Sequence, residues 1–365
     1  MPVLDEPLFQ FLRVALGTQQ DVSCKMNPDN WLSLYRESAR QSLIGVVFFA
    51  LGKLDSSSVP KQVYLRWYYQ SQVVKAQNEQ MNALASRLTK LFDEQGARTL
   101  ILKGPANSRL YPDAFIRQTG DIDIWVGGGR DYVLDLLQKM NLLEGARISD
   151  HDVLIPKTVF GEEVEVHFGF GVDRRSPSAN RRMLAFLDAE TQNSTRIDAG
   201  FVVPSNKFAL VMQLSHIYKH MLGLGVGMRQ LVDYFTLLRT ASDEDRAEVA
   251  SLLGTMNLRR FAGALMWVLT ECLGLEHEYC LCEPDARRGR VLLREIMQDG
   301  NFGKFAERRR GSVWRWWLKN RLRLVTFLPF DLSEVSWFLL RYWASFVFLT
   351  PQRLLALRQY KKHHK

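Results

Sequence analysis

The 365-residue sequence predicts a mixed α/β (α+β) protein, with a small mixed sheet in the middle of the chain flanked by N-terminal and C-terminal helical regions. Short apolar runs at residues 99–102, 122–126 and 163–168, bounded by Gly, Pro and Asp, carry the strand signature. On either side, longer stretches repeat their apolar residues at helical spacing, notably 61–95 and 206–222. Apolar residues make up 47% and charged residues 24%, an ordinary globular balance in a chain long enough for a sizeable core.

Taken in order, residues 7–53 read as short helices, with Asp29-Asn30-Trp31 as a helix start. A loop at 55–60 precedes the long amphipathic helix 61–95, which Gly96 closes and which braces the sheet. A strand at 99–102 runs into Lys103-Gly104-Pro105, where Gly permits a tight turn and Pro suits the first position of a helix over about 105–111. The strand 122–126 follows, then the loop 127–129, a helix over 130–140 and a hairpin of 151–156 with 162–168. Ser205 caps a helix over 206–222, and a further helix carries Arg229 and Asp233. Residues 240–298 read as helices without nameable chemistry. The regions drawn this way are 1–96, 97–204, 205–298 and 299–365.

The chemistry concentrates in Gly120-Asp121-Ile-Asp123. Alternation along the strand puts Asp121 and Asp123 on one side. Two such carboxylates repel each other unless a cation neutralises them. Placed after a glycine that lets the backbone turn, they have the make-up of a Mg²⁺ site for nucleotide phosphates. The strand 163–168 aligns Glu163, Glu165 and His167 on one face, with Glu163 nearer the turn and read as solvated. The amides opening helix 105–111 are offered to a phosphate. His216 with His220, and Arg229 with Asp233, each lie one turn apart on their helices. The His pair lacks the intervening Glu of a His-Glu-x-x-His zinc site, and an Arg–Asp ion pair is the structural reading of the second.

Leu102-Lys103-Gly104, Tyr111-Pro112, Gly120-Asp121-Ile-Asp123-Ile and Val164-Glu165-Val-His167, with Pro204-Ser205, His216, His220 and Arg229 to Asp233 downstream, resemble the uncharacterised bacterial nucleotidyltransferases. These are an outlying branch of the DNA polymerase β-like nucleotidyltransferase superfamily. The resemblance covers roughly residues 60–240. It implies that Asp121 and Asp123 are the two metal-binding acids of one strand and Glu165 the third, on a neighbouring strand. Two Mg²⁺ ions would hold an NTP for in-line transfer of its NMP to an acceptor, with Glu165 as ligand or general base. Lys103-Gly104 stands where the superfamily has Gly-Ser, so Lys103 is expected on the β- or γ-phosphate. Arg117 is expected on the leaving pyrophosphate or paired with Asp113. His216, His220, Arg229 and Asp233 are expected to face the nucleotide or acceptor. A small molecule or glycan precursor is the expected acceptor; phosphoryl transfer on the same fold and a non-catalytic nucleotide-binding scaffold are the alternatives.

The net charge of +9 is uneven. Residues 300–365 carry fourteen Lys and Arg against three Asp and Glu, a local +11, which leaves the first 299 residues at −2. That argues against a long nucleic-acid groove through the site. The tail is also rich in Trp and Phe, a composition that suits either helices packed on a core or peripheral contact with an anionic membrane through residues 312–358. Met1-Pro-Val-Leu-Asp lacks the basic start of a signal peptide, and the four cysteines form no disulfide framework, so a cytoplasmic location is expected. Cys272, His277, Cys280 and Cys282 cluster in sequence, but their spacing is poor for a zinc finger.

Overall fold

Asn27, not Asp29, caps the second helix: its side chain accepts the Asn30 amide at 2.8 Å, and Pro28 takes the first helical position that its fixed φ favours. The structure, a computed structural model, describes residues 6–55, 57–172, 176–223, 225–299, 319 and 322–340. Helices α1 (Pro7–Leu16), α2 (Pro28–Arg40) and α3 (Ile44–Leu51) lead to the long α4 (Lys61–Asp93). Trp67 of α4 is wholly buried and donates its indole N–H to the Ile44 carbonyl at 3.0 Å. Next to that contact, α3 lies directly on the loop before the acid strand. A Cβ added at Gly45 would stand 2.3 Å from the Ile116 carbonyl oxygen.

The sheet contains β1 (Thr99–Ile101), β2 (Ile122–Val126), β3 (Arg147–Ile148), β4 (Asp152–Ile155) and β5 (Val164–His167), in the order β1-β2-β5-β4-β3. Only β2 and β5 pair in parallel. The expected hairpin is present as the antiparallel β4–β5 pair, connected by one helical turn, α7 (Lys157–Phe160); α5 (Pro105–Ser108) and α6 (Gly129–Lys139) precede it.

Strand alternation splits this sheet into two unlike faces. Ile122, Ile124, Val126, Val153, Ile155, Val164 and Val166 all point one way and are fully buried in a core shared with Leu84, Leu88 and Phe92 of α4 and Val133 and Leu137 of α6. Each such side chain contributes roughly 1.5–3 kcal/mol by leaving water. The alternate positions of β2 and β5, Asp123, Trp125, Glu165 and His167, face the other way, toward the helices that follow.

Those helices are α8 (Pro177–Glu190), α9 (Asn206–Leu222), α10 (Met228–Thr240), α11 (Asp243–Leu252), α12 (Arg259–Leu273) and α13 (Ala286–Asp299), with a small ribbon of β6 (Thr195–Arg196) and β7 (Val202–Val203) before α9. The bounds of α9 follow its cap, for the Ser205 hydroxyl accepts the Phe208 amide at 3.1 Å. Phe9 and Phe11 of α1 share one core with Phe261 and Leu269 of α12, and Arg13 donates to the Cys272 carbonyl at 3.1 Å. The helical stretches before and after the sheet therefore bury their apolar faces together. The described part of the C-terminal tail joins the same core through Leu324, Phe327, Phe330 and Val335, and Arg323 pairs with Glu295 at 2.6 Å. This stretch shows the packing expected of one of the two readings of the tail. Trp314, Trp316, Trp317 and residues 341–358 lie outside the described residues.

Candidate active site

All eleven residues singled out in the sequence line one cavity of about 270 Å³: Asp121, Asp123 and Glu165 from the sheet, Lys103, Gly104, Arg117 and Gly120 from the loops before β2, His216 and His220 from α9, and Arg229 and Asp233 from α10. Gln230 completes the lining. The geometry starts from register. Asp123 on β2 is the cross-strand partner of Glu165 on β5, and Trp125 of His167, so both acids leave neighbouring strands on the same face. Asp121, one residue before β2, is exposed at the cavity mouth, whereas Asp123 is 1% exposed.

Asp123 Oδ1 accepts hydrogen bonds from Lys103 Nζ at 2.9 Å and His167 Nε2 at 3.1 Å, and the same His167 nitrogen lies 3.4 Å from Glu165 Oε2. Burial alone would raise the Asp123 pKa, but Lys103 and His167 hold it well below the carboxylate range. Burial likewise opposes the charge on Lys103, and the carboxylates of Asp123 and Asp121 outweigh it, leaving the pKa raised. For His167, burial is overcome by hydrogen bonds to Asp123 and Glu165, which push its pKa up to about 9. Glu165 is held down by His167, but burial and the charges of Asp123 and Asp121 win, so its carboxyl titrates above the ordinary value.

One ligand atom from each of Asp123, Glu165 and His167 lies within 4.8 Å of the others. With Asp121 beside them the donor set is rich in carboxylate oxygen, which fits a hard cation such as Mg²⁺. His167 was outside the sequence-derived site. Alternation showed it on the face of Glu165, but its reach to Asp123 depends on the β2–β5 register, which no local pattern reveals.

On the helical side, His216 Nε2 accepts from Lys103 Nζ at 3.2 Å, and His220 Nε2 lies 3.1 Å from the same nitrogen. Burial, reinforced by the Lys103 ammonium, lowers both imidazoles, His220 to about 3. They are neutral at pH 7, and the Lys103 ammonium already bonded to His216 makes this pair a polar wall rather than a cation site.

Two expectations are corrected by the packing. Arg117, on the cavity lining, pairs with Asp233 rather than with Asp113. Its Nε and Nη2 donate to Asp233 Oδ1 and Oδ2 at 2.7 and 2.8 Å, and Tyr111 donates its hydroxyl to Asp233 Oδ1 at 2.6 Å. Asp233 therefore spends its charge on Arg117, while Arg229, one turn before it, donates to the Gln118 carbonyl at 2.9 Å. Burial would lower Arg117, but Asp233 raises it on balance. The second correction concerns helix 105–111. It ends at Ser108, since Pro112 disfavours helical geometry at Tyr111. The amides of Ala106, Asn107 and Ser108 already bond the Lys103 and Gly104 carbonyls, so they are not offered to a phosphate. Gly104 itself has φ 63° and ψ −112°, a combination that L side chains avoid.

Glu163 is exposed, as its place near the turn predicts. Among the described residues, the groups able to hold a metal include none of Cys272, His277, Cys280 and Cys282. No helix among the described residues is long and apolar enough to cross a membrane.

The mixed sheet thus opposes two acids across its parallel central pair, with a lysine turn above them. Residues 27–274 match the model of the family described as uncharacterised nucleotidyltransferase, and the chain belongs to that family. No curated protein matches the chain.

Proposed function

We propose that the protein is a Mg²⁺-dependent nucleotidyltransferase that moves an NMP from an NTP to an acceptor, a small molecule or glycan precursor. The observation that carries this reading is the opposition of Asp123 and Glu165 across parallel strands, with Asp121 and Lys103 on the same cavity. Asp121, Asp123 and Glu165 would hold Mg²⁺, which supplies Lewis-acid polarisation of the phosphates when bound. Lys103 meets the triphosphate as a point charge, reaching from its place beside Asp123. Where Glu165 does not complete the metal's coordination, it takes the proton of the acceptor hydroxyl as that oxygen bonds the α-phosphorus. The bond from that phosphorus to the bridging oxygen breaks, and pyrophosphate leaves. His216 and His220, neutral and in direct contact with each other beside Lys103, form the wall that faces nucleotide or acceptor, with Arg229 as a further cation.

Incubation with Mg²⁺ and α- or γ-labelled ATP, with cell extract as acceptor source, tests the proposal. Transfer of α label supports it. Transfer of γ label supports phosphoryl transfer, and transfer of neither leaves the scaffold reading. Peripheral membrane contact by the tail is part of the same reading, supported by the exposed Leu322, Val325, Leu332 and Leu340 in a region of local charge +11.

A further inference from the structure

His167 has two edges. Its Nε2 serves Asp123 and Glu165, while Nδ1 is buried and has no hydrogen-bond partner among the described residues. A buried ring nitrogen left unpaired costs roughly 1–3 kcal/mol. Across the sheet from the catalytic acids, β4 brings Asp152 opposite His167 as its antiparallel cross-strand partner. Just before it, His151 places Nε2 3.0 Å from Asp152 Oδ2, and the two imidazole rings are 6.0 Å apart. A ligand atom from each of His151, Asp152 and His167 lies within 4.8 Å of the other two.

We propose that His151, Asp152 and His167 form a second cation site, distinct from the Mg²⁺ site, that takes Zn²⁺ or a similar borderline transition ion. Two imidazole nitrogens and one carboxylate oxygen are a zinc donor set, with a fourth position for water. The 3.0 Å between His151 Nε2 and Asp152 Oδ2 is close to the separation of about 3.3 Å that two ligands at about 2.0 Å make around a tetrahedral ion. Asp152 is already oriented, since its other oxygen accepts the Ser149 hydroxyl at 2.8 Å. Space beside His151 is kept by Gly171, at φ +64°, where a Cβ would stand 3.0 Å from His151 Nε2. His151 is partly exposed, which gives an ion a path from solvent.

The arrangement links the two sites through one ring. Zinc at Nδ1 would release to solvent the proton that the imidazolium carries there, and would leave the proton on Nε2, donated to Asp123 and Glu165. That is the carboxylate–histidine–zinc pattern by which metal sites fix a ligand's tautomer. His167 then becomes the positioning residue that sets the orientation of both catalytic acids.

The test measures Zn²⁺ binding to the full chain by calorimetry, with Co²⁺ absorption reporting nitrogen ligation. One equivalent is expected. His151→Gln and Asp152→Asn should each weaken it at least tenfold, the loss usual even for partners behind the ligands, with thermal melts showing that the variants fold. Asp121→Asn should leave Zn²⁺ affinity unchanged. Binding unaffected by both His151→Gln and Asp152→Asn, binding lost with Asp121→Asn, or no binding by the wild type would each overturn the proposal. Nucleotidyl transfer is read separately by label, so failure of one proposal is distinguishable from failure of the other.

Discussion

Arg117 and Asp233 stand 116 positions apart in the chain and share a two-pronged ion pair that is almost wholly buried. It ties the loop before the acid strand to α10, and Tyr111 adds a third hydrogen bond to the same carboxylate. A buried pair adds little over apolar packing, yet breaking one half strands the other. Asp233→Ala should therefore cost about 3–5 kcal/mol in urea unfolding. The double change Arg117→Met with Asp233→Leu should cost clearly less. Equal losses would mean that the pair itself is the source of stability.

Gly104→Ala addresses the turn. At φ 63° and ψ −112° a Cβ is strained, and it would lie 3.3 Å from the Asp121 carbonyl oxygen. The expected cost is about 1–3 kcal/mol of stability, together with a fall in kcat, since Lys103 and Asp121 move with the turn. Unchanged kinetics in a stably folded variant would remove Gly104 from the site.

Asp123→Asn keeps the shape of the side chain and removes its charge. Transfer of the α label should drop by about 10³-fold or more, while circular dichroism stays that of the wild type. Retained turnover would end the proposed role of this carboxylate.

The histidine wall predicts a pH dependence. His220 titrates at about 3 when folded and near 6.5 when unfolded, because burial and Lys103 disfavour its charge. The unfolded chain thus binds the proton more readily below pH 6.5. Stability is fully present above that value and declines as pH falls toward 3. Urea midpoints measured from pH 8 to pH 5 should fall, and His220→Gln should flatten the slope. A slope unchanged by that substitution would assign the effect to other groups.

For the tail, Leu332→Glu with Leu340→Glu alters exposed positions and leaves Phe327 and Phe330 in their core. Co-sedimentation with anionic vesicles at low salt should be strong for the wild type and weak for this variant. No sedimentation of the wild type would exclude membrane contact under those conditions.

Much of this was legible in the chain. The bounds of β2 follow from Ile-Asp-Ile-Trp-Val between Gly120 and Gly127, and those of α9 from Ser205 and Gly223, because strand alternation and helix caps are local signals. The gathering of Lys103, Asp121, Asp123, Glu165, His216 and Arg229 around one cavity was legible through family resemblance, since their spacing alone joins nothing across the 126 positions from the first to the last. Partner choice was not legible. Asp233 selects Arg117 over Arg229 through tertiary packing, and His167 meets Asp123 only because β5 sits beside β2 in one register. The helix at 105 is shorter than its opening residues imply, for Pro112 acts from beyond its end.

The close seat of α3 on the loop before β2 has a genetic corollary. Position 45 is not on the lining of the acid cavity, yet any side chain there would shoulder the Ile116 carbonyl aside. The displacement would pass next door to Arg117 and, through its grip on Asp233, into the far wall of the cavity. A lesion in the N-terminal helices can in this way silence the chemistry without reaching it.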